Sequence, residues 1–188
     1  PQGLGIVGLI AISDPPRKDP SQLVAQLREA GVRTVMLTGD SPTTAAAIAR
    51  KVGIEGAVCP AKTALDEGSA DRFEVFARMA PEQKFRLVKA LQSEGHVVGM
   101  CGDGTNDAPA LRQAQIGIAM SSATDAAKAA AGMVMTEPGL SGVVAAIREG
   151  RVGFQRLLTY SLNMLVKKAE VVMFLAIVLL MTGHAALT

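Results

Sequence analysis

Short apolar runs alternate with longer amphipathic stretches over residues 3–135 of the chain. The apolar runs have the length of strands, and several are continuous, which is typical of strands covered on both faces. In the longer stretches apolar residues recur every three or four positions, which is typical of helices that present one face to a core. The alternation therefore predicts βαβ units in an α/β fold, with a Rossmann-like parallel sheet and flanking helices.

The boundaries of these elements follow from the same pattern. We predict strands at 6–12, 34–37, 73–76, 97–101, 116–119 and 133–135, and helices at 21–30, 43–52, 82–93, 108–113 and 123–130. Prolines lie near the starts of several predicted helices, where a missing N–H costs little. Residues 61–71 are more polar and are predicted to be a connection.

One long helical pattern extends from about Gly142 to Met181. At about 1.5 Å per residue such a helix would be ~60 Å long. Residues 157–182 are numerous enough to cross a bilayer if their polar side chains are sheltered. Arginines on the amino-terminal side of this segment, such as Arg151 and Arg156, fit a cytoplasmic approach to a membrane. We predict membrane insertion, with a soluble core helix as the alternative.

Composition and isolated motifs exclude several function classes. The formal net charge is only +2 and 3% of residues are aromatic, which argues against a nucleic-acid partner. Cys59 and Cys101 lack the spacing of a zinc site and are predicted to be buried thiols. The two histidines are too isolated in sequence to predict a metal site. Gly3, Gly5 and Gly8 match a dinucleotide fingerprint, but they lie within an apolar run instead of following one.

Small polar residues follow two of the predicted strands, at 38–40 and 102–107. The carboxyl ends of parallel strands form the ligand-binding edge of an open α/β sheet. Glycines there let backbone N–H groups approach an anion, and Asp103 and Asp107 could bind one Mg²⁺. Lys84, in the first turn of a predicted helix, could reach a phosphoryl group. The alternatives are that residues 102–107 only form a turn that caps the next helix, and that Lys84 is a solvated surface residue.

Four motifs in order resemble those of P-type ATPases, cation pumps whose phosphorylation domain has a haloacid dehalogenase-type fold. They are Asp-Pro-Pro-Arg at 14–17, Thr-Gly-Asp at 38–40, Phe-Ala-Arg-Met-Ala-Pro-Glu-Gln-Lys at 76–84 and Gly-Asp-Gly-Thr-Asn-Asp-Ala-Pro-Ala-Leu at 102–111. The resemblance implies a partial phosphorylation domain at 1–140, a stalk helix at 141–157, a transmembrane helix at 158–182 and an extracytoplasmic end at 183–188. It also implies a cell-membrane location, with residues 1 to about 157 cytoplasmic.

The resemblance implies that five residues act on the transferred phosphoryl group. Thr38 and Gly39 would bind its oxygens through a hydroxyl and the backbone, and Asp40 would organise their loop. Lys84 would neutralise phosphoryl charge, and Asn106 would donate a hydrogen bond. This is the logic of phosphoryl transfer, in which fixed donors meet charge spread over the equatorial oxygens.

The resemblance also implies the cofactor and the substrate. Asp103 would ligate Mg²⁺, and Asp107 would complete the acidic cluster around the metal. Asp14 and Arg78 match positions near the nucleotide in the family, so that ATP is the expected substrate. An aspartyl phosphate is the implied intermediate.

The chain departs from the family at the nucleophile, because it contains no Asp-Lys-Thr-Gly-Thr motif. We therefore expect the isolated chain not to hydrolyse ATP, and its sheet to lack the strand that carries the nucleophile. The implied partners are the nucleotide-binding and actuator domains, the other transmembrane helices, membrane lipid and the transported cation. A soluble phosphatase of the same superfamily and a non-catalytic, membrane-anchored Mg²⁺ and phosphate-binding protein are the alternatives.

The carboxyl-terminal helix bears on the transported ion. Phe-Gln-Arg at 154–156 and Tyr160 are most similar to plasma-membrane proton-efflux pumps, so a proton is the expected cargo. Lys167 and Glu170 lie near positions that serve the ion path in the family. Alternatively they form an ion pair with each other, since residues three apart share one helix face.

Overall fold

The structure, a computed structural model, describes residues 20–59 and 70–183. The predicted strand at 6–12, Asp14 and most of the predicted connection at 61–71 lie outside these ranges. The chain divides into two compact units, Pro1–Gly142 and Val143–Thr188. In the first unit helices and parallel strands alternate along the chain, which confirms the predicted α/β class.

Among the described residues of the first unit, six short strands form two parallel sheets of three strands each. In the first sheet β1 (Met36–Leu37) and β2 (Val58–Cys59) both pair with the central β3 (Val75–Phe76). In the second sheet β4 (Gly99–Gly102) and β6 (Met133–Val134) both pair with the central β5 (Ile116–Ala119). Within the described residues the predicted single sheet is therefore in two parts, and no described strand joins β1 to β4.

The two sheets share part of their hydrophobic packing. Leu37 of β1 packs against the cluster that contains Met100 and Ala119 of the second sheet. It also packs against the cluster around Phe76 of the first sheet. The β1 edge of the first sheet is therefore close to the core of the second sheet.

Five helices of the first unit follow the predicted ranges closely. They are α1 (Pro20–Glu29), α2 (Pro42–Lys51), α3 (Pro81–Ser93), α4 (Ala108–Gln113) and α5 (Asp125–Ala130). Local sequence explains their starts: the Ser41 side chain accepts a hydrogen bond from the Thr44 N–H, and Thr124 does the same for Ala127. At α3 the Gln83 side chain accepts from the Ala80 N–H.

Two details of the strands differ from prediction. β2 was not predicted, because the apolar run around it is too short to show a period. Cys59 is buried as predicted, whereas the prediction for Cys101 is wrong, since this residue is exposed. Side chains alternate along a strand, and Met100 is the one that enters the helix-covered core. Surrounding atoms still desolvate the Cys101 sulfur enough to raise the pKa of its thiol.

The second unit consists mainly of α6 (Ser141–Thr182), a helix of 42 residues. Most of its apolar side chains are exposed, among them Phe154, Leu157, Leu165 and Phe174. Among the described residues, no helix combines the length and the apolar composition needed to cross a membrane. The helix itself was predicted, and its predicted membrane segment at 158–182 stays a prediction.

A substitution at Gly117 can test how closely α4 packs on the second sheet. A Cβ atom at this position would lie 2.3 Å from the carbonyl oxygen of Leu111, so the backbone of α4 would have to move. We expect Gly117→Ala to lower the free energy of unfolding by about 1–3 kcal/mol or more, measured by urea unfolding. Gly99→Ala is the matched control, since its Cβ would meet its nearest atom at 3.9 Å. Equal stability of the two variants would contradict this account of the packing.

Candidate functional site

Lys84 and Asp107 form a largely buried ion pair. Lys84 lies in the first turn of α3, and Asp107 ends the 3₁₀ turn Thr105–Asp107 that follows β4. The Lys84 Nζ donates to Asp107 Oδ1 at 2.6 Å, and the two side chains are only 15% and 11% exposed. Of the charged residues in the described ranges, Asp107 alone is buried. Because an uncompensated buried carboxylate is costly, Lys84 both holds Asp107 and is held by it.

The backbone around β4 also shapes the surroundings of Asp107. Its Oδ2 accepts a hydrogen bond from the Gly104 N–H at 3.3 Å. A Cβ atom on Gly102 would lie 2.7 Å from the Cβ of Asp107. Glycine at 102 therefore leaves the space that Asp107 fills, which gives the Gly-Asp-Gly motif a steric reason.

The Thr38–Asp40 loop follows β1 and closes on itself. The Thr38 hydroxyl donates to Asp40 Oδ2 at 2.9 Å, and the Asp40 N–H donates to Thr38 Oγ1 at 3.1 Å. Gly39 is exposed, and a Cβ there would meet no atom within 4 Å. The backbone at Gly39 thus borders open space, as a loop that receives an anion requires.

Asp103 and Asn106 are exposed on the loop that follows β4. Neither side chain forms a hydrogen bond with any residue in the described ranges, whereas the Asp103 carbonyl accepts from the Thr124 N–H at 2.9 Å. Their backbone is therefore fixed while their polar groups are available to a ligand. Asp103 fits a hard cation, because Mg²⁺ is usually held by one or two carboxylates together with substrate phosphate and water. Both oxygens of Asp107 already have donors, so Asp103 is the more available ligand.

The remaining predicted site residues are Asp14, Arg78, Lys167 and Glu170. Arg78 is exposed on the turn between β3 and α3, and Asp14 lies outside the described residues. Lys167 and Glu170 are both exposed on α6. The ion pairs between described residues do not include them, and their role in an ion path stays a prediction.

A cluster at the opposite end of α3 was missed by the sequence analysis. Donor atoms of Asp71, Glu94 and His96 lie within 4.8 Å of one another, so His96 is not isolated as predicted. Its Nε2 lies 3.0 Å from Asp71 Oδ2, and Arg33 also pairs with Asp71. Asp71 is 25 residues from His96 and shares no motif with Glu94 and His96, so no sequence signal could have revealed the cluster. The His96 hydrogen bond, with help from Arg33, holds the pKa of Asp71 below its usual value.

Family comparison agrees with this architecture. A profile described as haloacid dehalogenase-like hydrolase matches residues 4–115, and a second profile with the same description matches residues 84–147. The first match covers more than half of the chain. The chain belongs to the haloacid dehalogenase-like hydrolases.

Curated relatives of this hydrolase chain are cation-transporting ATPases. It is 47% identical to the probable cation-transporting ATPase F of Mycobacterium tuberculosis over 171 aligned residues. The alignment covers 84% of this chain and 19% of the relative. It is 44% identical to calcium-transporting ATPase 1 of Bacillus cereus over 160 aligned residues. This alignment covers 80% of this chain and 18% of the relative. The chain thus spans about a fifth of the length of these relatives.

A solved structure supports the same fold. The catalytic domain of the CPx-ATPase CopB-B, described as changing conformation upon nucleotide binding, has a TM-score of 0.58 and 25% sequence identity to this chain. The similarity covers 72% of this chain and 46% of that one. The haloacid dehalogenase-like fold expected from the motifs is therefore confirmed.

A double-mutant cycle tests the coupling of Lys84 and Asp107. Lys84→Met leaves a buried carboxylate without its counter-charge and is expected to cost about 3–5 kcal/mol of unfolding free energy. Asp107→Asn is expected to cost less, since the long lysine side chain can turn its ammonium towards water. Urea unfolding should show a double variant that is less destabilised than the sum of the two, by roughly 0.5–3 kcal/mol. Additive costs would contradict a direct pair.

The cluster at Asp71 predicts a pH-dependent contribution to stability. Because the folded-state pKa of Asp71 is lowered, this contribution is present above the unfolded pKa and is lost as pH falls through the folded pKa. We expect His96→Ala to raise the pKa of Asp71 towards 3.8, measured by carboxyl-carbon NMR titration. An unchanged Asp71 titration would assign the whole effect to Arg33.

Proposed function

We propose that this chain supplies the Mg²⁺-binding and phosphoryl-clamping part of a P-type ATPase that couples ATP hydrolysis to cation transport. The observation that carries the proposal is the buried Lys84–Asp107 pair, which lies beside a loop with two available ligand groups, Asp103 and Asn106. The family match and the cation-transporting relatives support it.

The geometry suits phosphoryl transfer by positioning and charge. In such reactions negative charge spreads over the equatorial oxygens of the phosphoryl group, and fixed donors stabilise it. In this proposal the Gly39 backbone N–H binds one of these oxygens, and the Thr38 hydroxyl binds another by exchanging its bond to Asp40 for one to the ligand. The Lys84 ammonium, oriented by Asp107, provides positive charge, and the Asn106 amide donates one hydrogen bond. Bound Mg²⁺ would supply further charge neutralisation, with Asp103 as its protein ligand.

The division of the sheet gives the proposal a place for the missing nucleophile. Among the described strands β1 pairs only with β3, and β4 pairs only with β5. The N–H groups of Met36 and Thr38 donate to β3, so the N–H of Leu37 faces the other edge of β1. We propose that a strand ending in Asp-Lys-Thr-Gly-Thr, from another part of the pump, pairs with the free edges of β1 and β4. Its aspartate would then emerge beside Thr38 and Asp103.

The membrane part of the proposal rests on α6. Exposed apolar side chains along this helix would be covered by lipid and by other transmembrane helices of the pump, and these helices would shelter Lys167 and Glu170. This arrangement places the first unit on the cytoplasmic side of the cell membrane. A proton is the proposed cargo, with Lys167 and Glu170 near its path. The similarity of Phe154, Gln155, Arg156 and Tyr160 to proton-efflux pumps supports this cargo.

Binding of beryllium fluoride, a phosphoryl mimic, tests the proposed site. The chain is mixed with a separate segment that contains Asp-Lys-Thr-Gly-Thr, and binding is measured by calorimetry with and without Mg²⁺. We expect Mg²⁺-dependent binding that Asp103→Ala weakens at least roughly tenfold, because a direct metal ligand is lost. Glu55→Ala removes one exposed negative charge elsewhere and should bind like the parent chain.

Each other outcome favours a different function. Equal binding by the Asp103→Ala variant and the parent would contradict the metal role of Asp103. Phosphatase activity of the chain without the added segment would favour a soluble phosphatase. No binding of the mimic under any complementation would leave a non-catalytic protein as the better account.

A further inference from the structure

Arg78 has an unusual backbone conformation. Its φ is +53°, and it is the only non-glycine residue in the described ranges with a positive φ. Glycine adopts this left-handed region without steric cost, whereas a residue with a side chain does so only when the surrounding structure holds it there. Such positions concentrate at functional sites, so the contacts that hold Arg78 are informative.

Two backbone hydrogen bonds hold this turn against the Thr38–Asp40 loop. The Arg78 N–H donates to the Asp40 carbonyl at 2.9 Å, and the Met79 N–H donates to the Thr38 carbonyl at 3.0 Å. A third bond continues the β1–β3 ladder, since the Thr38 N–H donates to the Phe76 carbonyl at 3.0 Å. The loop after β1 and the turn after β3 therefore form one hydrogen-bonded unit.

The same turn leads directly into the helix that carries Lys84. Ala80 precedes α3, Pro81 occupies its first turn, and the Gln83 side chain accepts from the Ala80 N–H at 2.8 Å. Lys84 follows at once and reaches Asp107. The turn at Arg78 thus connects the hydroxyl and amides of the first loop to the ammonium group of α3.

The side chain of Arg78 takes no part in this connection. It is exposed and forms no hydrogen bond with a residue in the described part of the chain. The backbone conformation and the side-chain chemistry at this position are therefore separable by substitution.

We propose that Arg78 is a positioning residue whose left-handed backbone couples the Thr38–Asp40 loop to Lys84. Without this conformation the N–H groups of Arg78 and Met79 would point away from the loop, and its spacing from Lys84 would change. The inference rests on the proposed phosphoryl site for its functional meaning. The hydrogen bonds themselves can be tested without that site.

Three variants separate backbone from side chain. Arg78→Gly retains access to positive φ, whereas Arg78→Val does not, because β-branched residues strongly avoid this region. Gly95→Val is the matched control: Gly95 has φ +90° and open space around it, and it lies at the far end of α3. The Gly95→Val variant places a β-branched residue at a positive φ, as Arg78→Val does, but away from the Thr38–Asp40 loop.

Beryllium fluoride binding with Mg²⁺ and the Asp-Lys-Thr-Gly-Thr segment, without nucleotide, is the first readout. We expect Arg78→Val to lose roughly tenfold or more in affinity, and Arg78→Gly to recover most of that loss. Gly95→Val should bind within a few-fold of the parent, even if it is equally destabilised. Equal losses in Arg78→Gly and Arg78→Val would overturn the proposal and assign the effect to the side chain.

Amide hydrogen exchange in the chain itself is the second readout and needs no ligand. The amides of residues 78 and 79 should be protected in the parent and in Arg78→Gly, and should exchange faster in Arg78→Val only. If the parent fails to bind the mimic, the phosphoryl site is wrong, and the exchange data still decide whether position 78 couples the two segments. Unchanged exchange in Arg78→Val would overturn the coupling.

Discussion

The ion pair between Lys84 and Asp107 is the interaction on which the candidate site depends. It joins the start of α3 to the turn after β4. Along the chain these two positions are separated by the rest of α3 and by β4. A carboxylate as buried as Asp107 needs its counter-charge, so the two elements keep a fixed spacing. Glycine at 102 provides the space for the carboxylate. The site is thus positioned by a requirement of the folded core as well as by the ligand it would bind.

Backbone hydrogen bonds extend this constraint to the first sheet. The Thr38–Asp40 loop is held by N–H groups of the turn that precedes α3, so three segments converge at the carboxyl ends of β1 and β4. The ion pair fixes the first turn of α3 against the turn after β4. Main-chain hydrogen bonds fix the turn before α3 against the loop after β1. Phosphoryl transfer requires this kind of rigidity, because donors that must reorganise during the reaction stabilise the transition state less.

Periodicity and motif order predicted much of this arrangement. The bounds of α4 and β5 match the predicted ranges, because Pro109 marks the start of the helix and the run Ile116–Ala119 has the length of a buried strand. The sequence also indicated that Lys84 and Asp107 share a site. It could not show that they contact each other, that the described strands form two sheets, or that Asp71 and His96 meet. These features depend on tertiary pairing between distant residues, which leaves no local pattern.

The edges of β1 and β4 that no described strand covers and the exposed apolar side chains of α6 have the same physical basis. A strand edge presents unpaired N–H and C=O groups, and an apolar helix face presents surface that water solvates poorly. Each is stabilised by a partner, and the two partners differ in kind, since one must supply hydrogen bonds and the other apolar surface. The proposed pump would provide both, a strand that carries the nucleophile for the sheet and neighbouring membrane helices for α6. Completion of the sheet and assembly of the catalytic site would then be one event, because the strand that satisfies β1 and β4 also brings the reacting carboxylate to Lys84.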